Sequence, residues 1–302
     1  MEKIKVKGVL PPMITPFTKD GDVDYDAHVK NIEKWNNTNL AGYLVLGSNS
    51  EAAYLNEEEK LKLIELTVKY AKNDRIIFAG TGMESTRGTI ELTNKAAKLG
   101  AHAALVLTPC YYGSSMNDEA IITFFKEVAD NSSIPVFIYN VTKFTHYNIS
   151  VNAVKELSKY PNIAGMKDSN GDISQLVKFK SVVLDDFNLM VGTAGAWYPA
   201  LTIGIKAGIM ALANCAPDEC AQVQKCYDDG DHEKAVETYL RMFPVNNAVT
   251  ATYGVPGLKY VCNLFGYCAG YPRKPLLPMK EEQRDSIIKI LSDAKLMNCQ
   301  KV

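Results

Sequence analysis

Short apolar runs recur along this chain: GVLPPMIT, GYLVLG, RIIFAGT, AALVLTP, PVFIYN, IAGMKD, NLMVGT and IMALAN. Their apolar stretches are continuous rather than alternating, the pattern of parallel strands covered on both faces. Between the runs the apolar positions switch to helical spacing. In residues 56–71, Leu61, Ile64, Leu66 and Val68 form a stripe behind a Glu-rich first turn. Residues 87–100 end in Gly100, a helix stop, and residues 117–130 open on Asn117, a good N-cap. Eight strand-then-helix units, ending near Asn214, predict a parallel α/β fold closed as a (β/α)8 TIM barrel. An open dinucleotide-binding sheet would favour G-x-G-x-x-G after the first strand, where LPPMITPF stands instead. After Asn214 the pattern changes. Residues 218–229, 231–250, 255–266 and 280–294 read as helices with no strands between them. The prediction is a barrel over residues 1–217 and a C-terminal helical extension over 218–302, packed on the barrel or on another subunit as one structural unit.

Composition narrows the class. A chain of 302 residues fits a single α/β barrel, and 47% apolar with 22% charged residues is an ordinary globular balance. Thirty-three basic against 34 acidic residues leave a net charge of −1, which attracts neither nucleic acid nor an anionic membrane surface. No stretch approaches the roughly 20 apolar residues of a membrane helix. The N-terminus has no apolar signal core before its first Pro, so a cytoplasmic protein is expected. Seven cysteines, at 110, 215, 220, 226, 262, 268 and 299, include no C-x-x-C pair and read as reduced, mostly buried thiols. Four scattered histidines (28, 102, 146 and 232) form no H-x-x-x-H pair, so no metal is expected.

Barrel enzymes keep their chemistry at the C-terminal ends of the strands. Those ends are polar here: Ser48, Asn49, Ser50 and Glu51; Cys110, Tyr111 and Tyr112; Tyr139 and Asn140; Lys167, Asp168 and Ser169; Gly192 and Thr193; Asn214. Lys167 stands out, because lysine is almost never fully buried without a partner. Strand alternation can aim Lys167 into the barrel while Ala164 and Met166 pack against helices. A desolvated lysine amine is a nucleophile toward carbonyls. Tyr139 ends the neighbouring strand, where a phenol can shuttle protons to an imine. Each feature also has a bland reading. Lys167 and Asp168 could be a solvated charge pair, and Tyr139 a core residue. GSNSE could be a helix-capping loop with Ser48 or Asn49 as cap, and Tyr111 with Tyr112 simple packing. Their joint placement on successive strands of one barrel favours chemistry.

The motifs GSNSE (47–51), TPCYY (108–112), YNV (139–141) and GMKDS (165–169) resemble those of the dihydrodipicolinate synthase/N-acetylneuraminate lyase family of class I aldolases. The likeness runs from GVLPPMITPF to GYPRKPLLP. Within the family it is most similar to the 4-hydroxy-2-oxoglutarate aldolase branch, through ALAN, NNAVT (246–250) and GVPGLK (254–259). The resemblance implies that Lys167 forms an imine with the 2-oxo group of pyruvate and that no other cofactor is needed. It implies that Tyr139 shuttles protons and that Ser48 and Asn49, at a helix N-terminus, bind the substrate carboxylate. Ser48 would also move protons with Tyr139, and Tyr111 would reach a neighbouring subunit's site and complete that Tyr–Ser–Tyr relay. Ser169, Gly192 and Ile209 would line the pocket, and the assembly would be a homotetramer built as a dimer of dimers.

Three positions depart from the family. Ser50 replaces the glycine of the G-S-N-G-E motif, and Thr142 replaces a proline. Phe144 stands where the synthase branch carries an arginine that grips the aldehyde's carboxylate. An apolar ring cannot replace a bidentate clamp. A 4-hydroxy-2-oxoglutarate aldolase-like lyase joining pyruvate to a small aldehyde is therefore expected, with Lys143 and His146 as candidates for a distal carboxylate. The alternatives are a 4-hydroxy-tetrahydrodipicolinate synthase, a lyase of N-acetylneuraminate or other 2-oxo-3-deoxy sugar acids, and a non-catalytic barrel that binds a 2-oxo acid.

Overall fold

The computed structural model describes residues 4–297. The eight apolar runs form β1 (Gly8–Leu10), β2 (Gly42–Val45), β3 (Ile76–Gly80), β4 (Ala103–Leu107), β5 (Val136–Asn140), β6 (Ile163–Asp168), β7 (Asn188–Val191) and β8 (Ala207–Ile209). They make one parallel sheet in the order β1-β8-β7-β6-β5-β4-β3-β2. The outer strands meet, so the sheet closes. Ala41 N–H donates to the Val9 carbonyl (2.9 Å), Leu44 N–H to that of Pro11 (3.0 Å), and Met13 N–H to that of Leu44 (2.8 Å). The β1 ladder is short because Pro11 and Pro12 have no N–H to give it.

Around the barrel lie α1 (Tyr25–Trp35), α2 (Glu57–Tyr70), α3 (Thr86–Lys98), α4 (Asp118–Asp130), α5 (Thr142–Thr145), α6 (Val151–Leu157), α7 (Ile173–Lys180) and α8 (Trp197–Thr202). Asn56, Ser85 and Asn117 cap α2, α3 and α4 through their side-chain oxygens. After β8 come α9 (Pro217–Asp228), α10 (His232–Asn247), a π-helical turn at Ala248–Thr252, α11 (Gly254–Leu264) and α12 (Glu281–Asp293). The continuous helix expected over 231–250 thus gives way at its C-terminal end to the π turn. Among the described residues no helix is long and apolar enough to cross a membrane.

The core has two compartments. One lies between sheet and helices. The other fills the barrel and includes Leu10, Leu44, Phe78, Leu105, Phe137, Met190 and Ile209. Phe78 and Phe137 meet edge to face there, with centroids 4.8 Å apart. Ala164 belongs to this interior compartment, whereas Met166 packs against helices. The expectation that both face outward is corrected for Ala164. The β5–β6 register slips between Val136 and Phe137, and the extra residue in β6 breaks the alternation. Gly165 fills the irregular step opposite Phe137, where a Cβ would lie 2.4 Å from the ring.

Asn214, another strand-end polar residue, is a structural staple. Its Oδ1 accepts from Ile14 N–H, and its Nδ2 donates to the Pro12 and Ala211 carbonyls. It ties the end of β8 to the segment after β1. Cys215, Cys220, Cys226 and Cys262 are buried free thiols, Cys110 is half-buried, Cys268 is exposed, and Cys299 lies outside the described residues.

Candidate active site

Lys167 and Tyr139 are partners in the β5–β6 register, so their side chains share the barrel interior. Lys167 is 3% exposed, and its Nζ lies 4.1 Å from the centroid of the Tyr139 ring. Among the described residues no carboxylate forms an ion pair with it. Asp168 is not its counter-ion. Asp168 pairs with Asn140 on the opposite face of the strands, buried behind the barrel wall. Its Oδ1 accepts from Asn140 (2.6 Å), Gln175 (3.0 Å) and Asn170 (3.3 Å). Burial pushes the Asp168 carboxyl up, and these amides partly offset that. The solvated-pair reading of Lys167 and Asp168 is thereby corrected: both are buried, on opposite faces of β6.

Above the lysine, the Ser48 Oγ lies 3.4 Å from the Tyr139 hydroxyl. Burial raises the Tyr139 phenol, but the Lys167 ammonium and the nearby hydroxyls of Ser48 and Ser169 outweigh it. The phenol therefore titrates below its ordinary value. A group shifted that way, beside a buried amine, is placed to give and take protons.

Ser48 and Asn49 are half-buried at the start of a three-residue 3-10 turn, Ser48–Ser50. The expected helix N-terminus, or helix-capping loop, is corrected here: α2 begins only at Glu57, and Asn56 caps it. Ser50 is compatible with this turn because the left-handed residue is Glu51, with φ of 55°, rather than Ser50. The Ser50 hydroxyl donates to the Met13 carbonyl and accepts from Gly47 N–H. A glycine would make neither bond.

Ser169 and Gly192 are brought together after β6 and β7. A Cβ on Gly192 would sit 1.8 Å from the Ser169 Oγ, so that hydroxyl occupies its place only because residue 192 is glycine. Ile209 is fully buried in the barrel interior. Tyr111 stands apart from this group. It is 78% exposed, and its ring meets that of Tyr112, itself exposed, edge to face. Neither ring packs into the core; the two pack on each other. Glu84 holds the segment by accepting from the backbone N–H of Cys110 and Tyr111.

The remaining departures cluster on α5. Thr142 donates its N–H to Asn170 Oδ1 (3.3 Å), a bond a proline could not make. Phe144 is half-exposed, His146 caps the helix with φ of 54°, and Lys143 donates to the Thr250 carbonyl in the π turn. No three of His, Cys, Asp and Glu gather as metal ligands among the described residues.

Sequence reasoning missed two groups. One is the amide cluster behind Lys167, in which Asn148 Oδ1 accepts from Asn140, Asn170 and Gln175. The other is a buried ion pair between Glu51 and Lys259. The first gathers side chains from separate segments between Asn140 and Gln175, the second joins residues more than two hundred apart, and only the glutamate of GSNSE and the lysine of GVPGLK hinted at the second.

A sequence model of the Dihydrodipicolinate synthetase family matches residues 5–294. The 4-hydroxy-tetrahydrodipicolinate synthase of Methanococcoides burtonii is 34% identical over 289 residues, spanning 95% of this chain and 98% of that protein. That of Archaeoglobus fulgidus is 31% identical, spanning 97% and 99%. Among solved structures, the chloride-inhibited dihydrodipicolinate synthase from Acinetobacter baumannii, complexed with pyruvate, superposes with a TM-score of 0.92. It is 27% identical, and the match covers 97% of this chain and 100% of that one. With this fold and these relatives, the protein is a carbon–carbon lyase, a class I pyruvate-dependent aldolase. The chain belongs to the dihydrodipicolinate synthetase family.

Proposed function

We propose that the chain uses Lys167 as an imine-forming nucleophile in a lyase of the 4-hydroxy-2-oxoglutarate aldolase type. The observation that carries this reading is the buried Lys167 amine against Tyr139, with the Ser48 hydroxyl beside the phenol. Phe144, at the position of the synthase arginine, supports the choice of branch. It offers no carboxylate clamp for aspartate semialdehyde.

In the cleavage direction, Lys167 Nζ adds to the C2 carbonyl of 4-hydroxy-2-oxoglutarate and water leaves, giving a protonated imine. Tyr139, left as phenolate after giving its proton to the departing water, takes the proton of the C4 hydroxyl. The C3–C4 bond breaks, its electron pair flows into the iminium, and glyoxylate departs. The resulting enamine takes that proton from Tyr139 at C3, and water hydrolyses the imine to pyruvate and free Lys167, returning a proton to Tyr139. Ser48 and Asn49 hold the substrate carboxylate, with Ser169, Gly192 and Ile209 around the reacting carbons. Tyr111, exposed on the single chain, completes the relay in a neighbouring subunit of a cytoplasmic homotetramer. No metal or other cofactor takes part, because the iminium is the electron sink.

The test is pyruvate with borohydride, followed by intact mass and peptide mapping. The expected result is a reduced adduct on Lys167, absent in Lys167→Ala, which also loses turnover while remaining folded. A folded protein with no adduct overturns the reading in favour of a barrel that only binds a 2-oxo acid. Condensation of pyruvate with glyoxylate should outpace that with aspartate semialdehyde. The names of the relatives favour the reverse order. Faster use of aspartate semialdehyde would replace the aldolase reading with that of a synthase.

A further inference from the structure

Glu51 follows the Ser48–Ser50 turn directly, yet its carboxylate partners are Lys259 and the Arg273 N–H, from the C-terminal extension. Glu51 is 3% exposed, and Lys259, from α11 in the C-terminal helices, is 1% exposed. Their Oε1 and Nζ are 2.5 Å apart. Lys259 Nζ also donates to the Tyr271 carbonyl (2.6 Å), and the second Glu51 oxygen accepts from Arg273 N–H (2.8 Å). Lys259 Nζ and the Arg273 guanidinium each lie 4.4 Å from the centroid of Phe17. Arg273 reaches on to Glu59 with two hydrogen bonds and to the Tyr54 carbonyl. One knot therefore joins the segment after β1, the turn after β2, the first turn of α2 and the C-terminal extension.

Stability alone does not explain it. Burying two charges costs several kcal/mol each, and a well-packed apolar pair often does as well. What the pair does is hold one backbone conformation. Glu51 is left-handed at φ 55°, which is unfavourable for a residue with a Cβ. In that conformation its N–H donates to the Ser48 carbonyl (3.1 Å) and its carbonyl accepts from Tyr54 N–H (2.9 Å). Ser50 is pinned from the other side by Met13, Gly47 and Thr15. Glu51 is thus the end of the turn whose hold comes from the C-terminal helices.

We propose that the Glu51–Lys259 ion pair positions the Ser48–Asn49 turn to take the substrate carboxylate, which makes the C-terminal extension part of the active site. Both are positioning residues, and the proposal rests on the reading of Ser48 and Asn49 given above.

The test measures the pyruvate concentration that half-saturates borohydride trapping, and the trapping rate at saturation, in the full-length protein. Lys259→Met should raise the half-saturating concentration about tenfold or more and lower the saturating rate by a smaller factor, the pattern of a displaced binding group. Glu51→Gln/Lys259→Met, which removes both buried charges, should regain thermal stability and still keep the raised value. A merely structural pair would restore both together. If Lys259→Met does not fold, the double variant and Glu51→Gln carry the same readout. A folded variant that binds pyruvate like the wild type overturns the proposal. Ser48→Ala, measured alongside, separates the two failures. If Ser48→Ala raises the value and the ion-pair variants do not, only the positioning proposal falls. If Ser48→Ala leaves it unchanged, the carboxylate reading falls and takes the positioning proposal with it.

Discussion

At the scale of single residues, the site depends on what is small as much as on what is reactive. The Ser169 hydroxyl fills the space where a Gly192 side chain would begin. Gly192→Ala should push that hydroxyl aside, cost about 1–3 kcal/mol of stability from overpacking, and lower kcat/KM with the fold retained. Paired thermal melts and steady-state kinetics check this, and unchanged kinetics would remove Ser169 from the pocket. Lys167 was legible in the sequence because a lysine within an apolar run needs a reason. Its relation to Asp168 was not, because neighbours along a strand point to opposite faces and only the register says which face is which.

At the scale of elements, helices α1 and α2 are joined by a buried histidine. His28 Nε2 lies 3.0 Å from Thr67 Oγ1, and burial lowers its pKa from 6.5 to about 4. In the unfolded chain this group takes up a proton near its ordinary value, while in the folded chain it stays neutral down to about pH 4. Its contribution is therefore fully present above pH 6.5 and declines as pH falls toward 4. Between pH 7 and pH 5 the loss should be about 2 kcal/mol. His28→Gln, with no proton to gain, should lack that part of the acid slope in denaturant unfolding. Parallel slopes for the two proteins would refute the buried-neutral assignment. The helices themselves were readable from apolar spacing, from the Glu-rich first turn of α2 and from the cap at Asn117. The bulge in β6 was not, because nothing local marks Ala164 and Gly165 as an irregular pair.

At the scale of the whole molecule, Tyr111 points to the assembly. Its side chain is 78% exposed and meets the Tyr112 ring, and among the described residues no hydrogen bond or ring contact joins it to Lys167, Tyr139 or Ser48. If a neighbouring subunit shares it, Tyr111→Phe and Lys167→Ala should each be inactive alone yet complement in mixed oligomers. A hybrid dimer then holds one intact site, and equal mixing should restore about a quarter of wild-type activity. No recovery after verified subunit exchange would place Tyr111 outside the relay.

By itself the sequence determined the barrel, through the repetition of strand and helix, and singled out Lys167, Tyr139 and Ser48 as polar residues at strand ends. These are short-range signals, carried by runs of a few residues and by the misfit of a charge among apolar neighbours. Only the tertiary structure decided which residues meet: Ser169 with Gly192, Asp168 with the amides behind the wall, and Glu51 with Lys259 across more than two hundred residues. A buried charge is tolerable only beside its partner, and the partner's place in the sequence is set by chain topology. No local pattern carries that information.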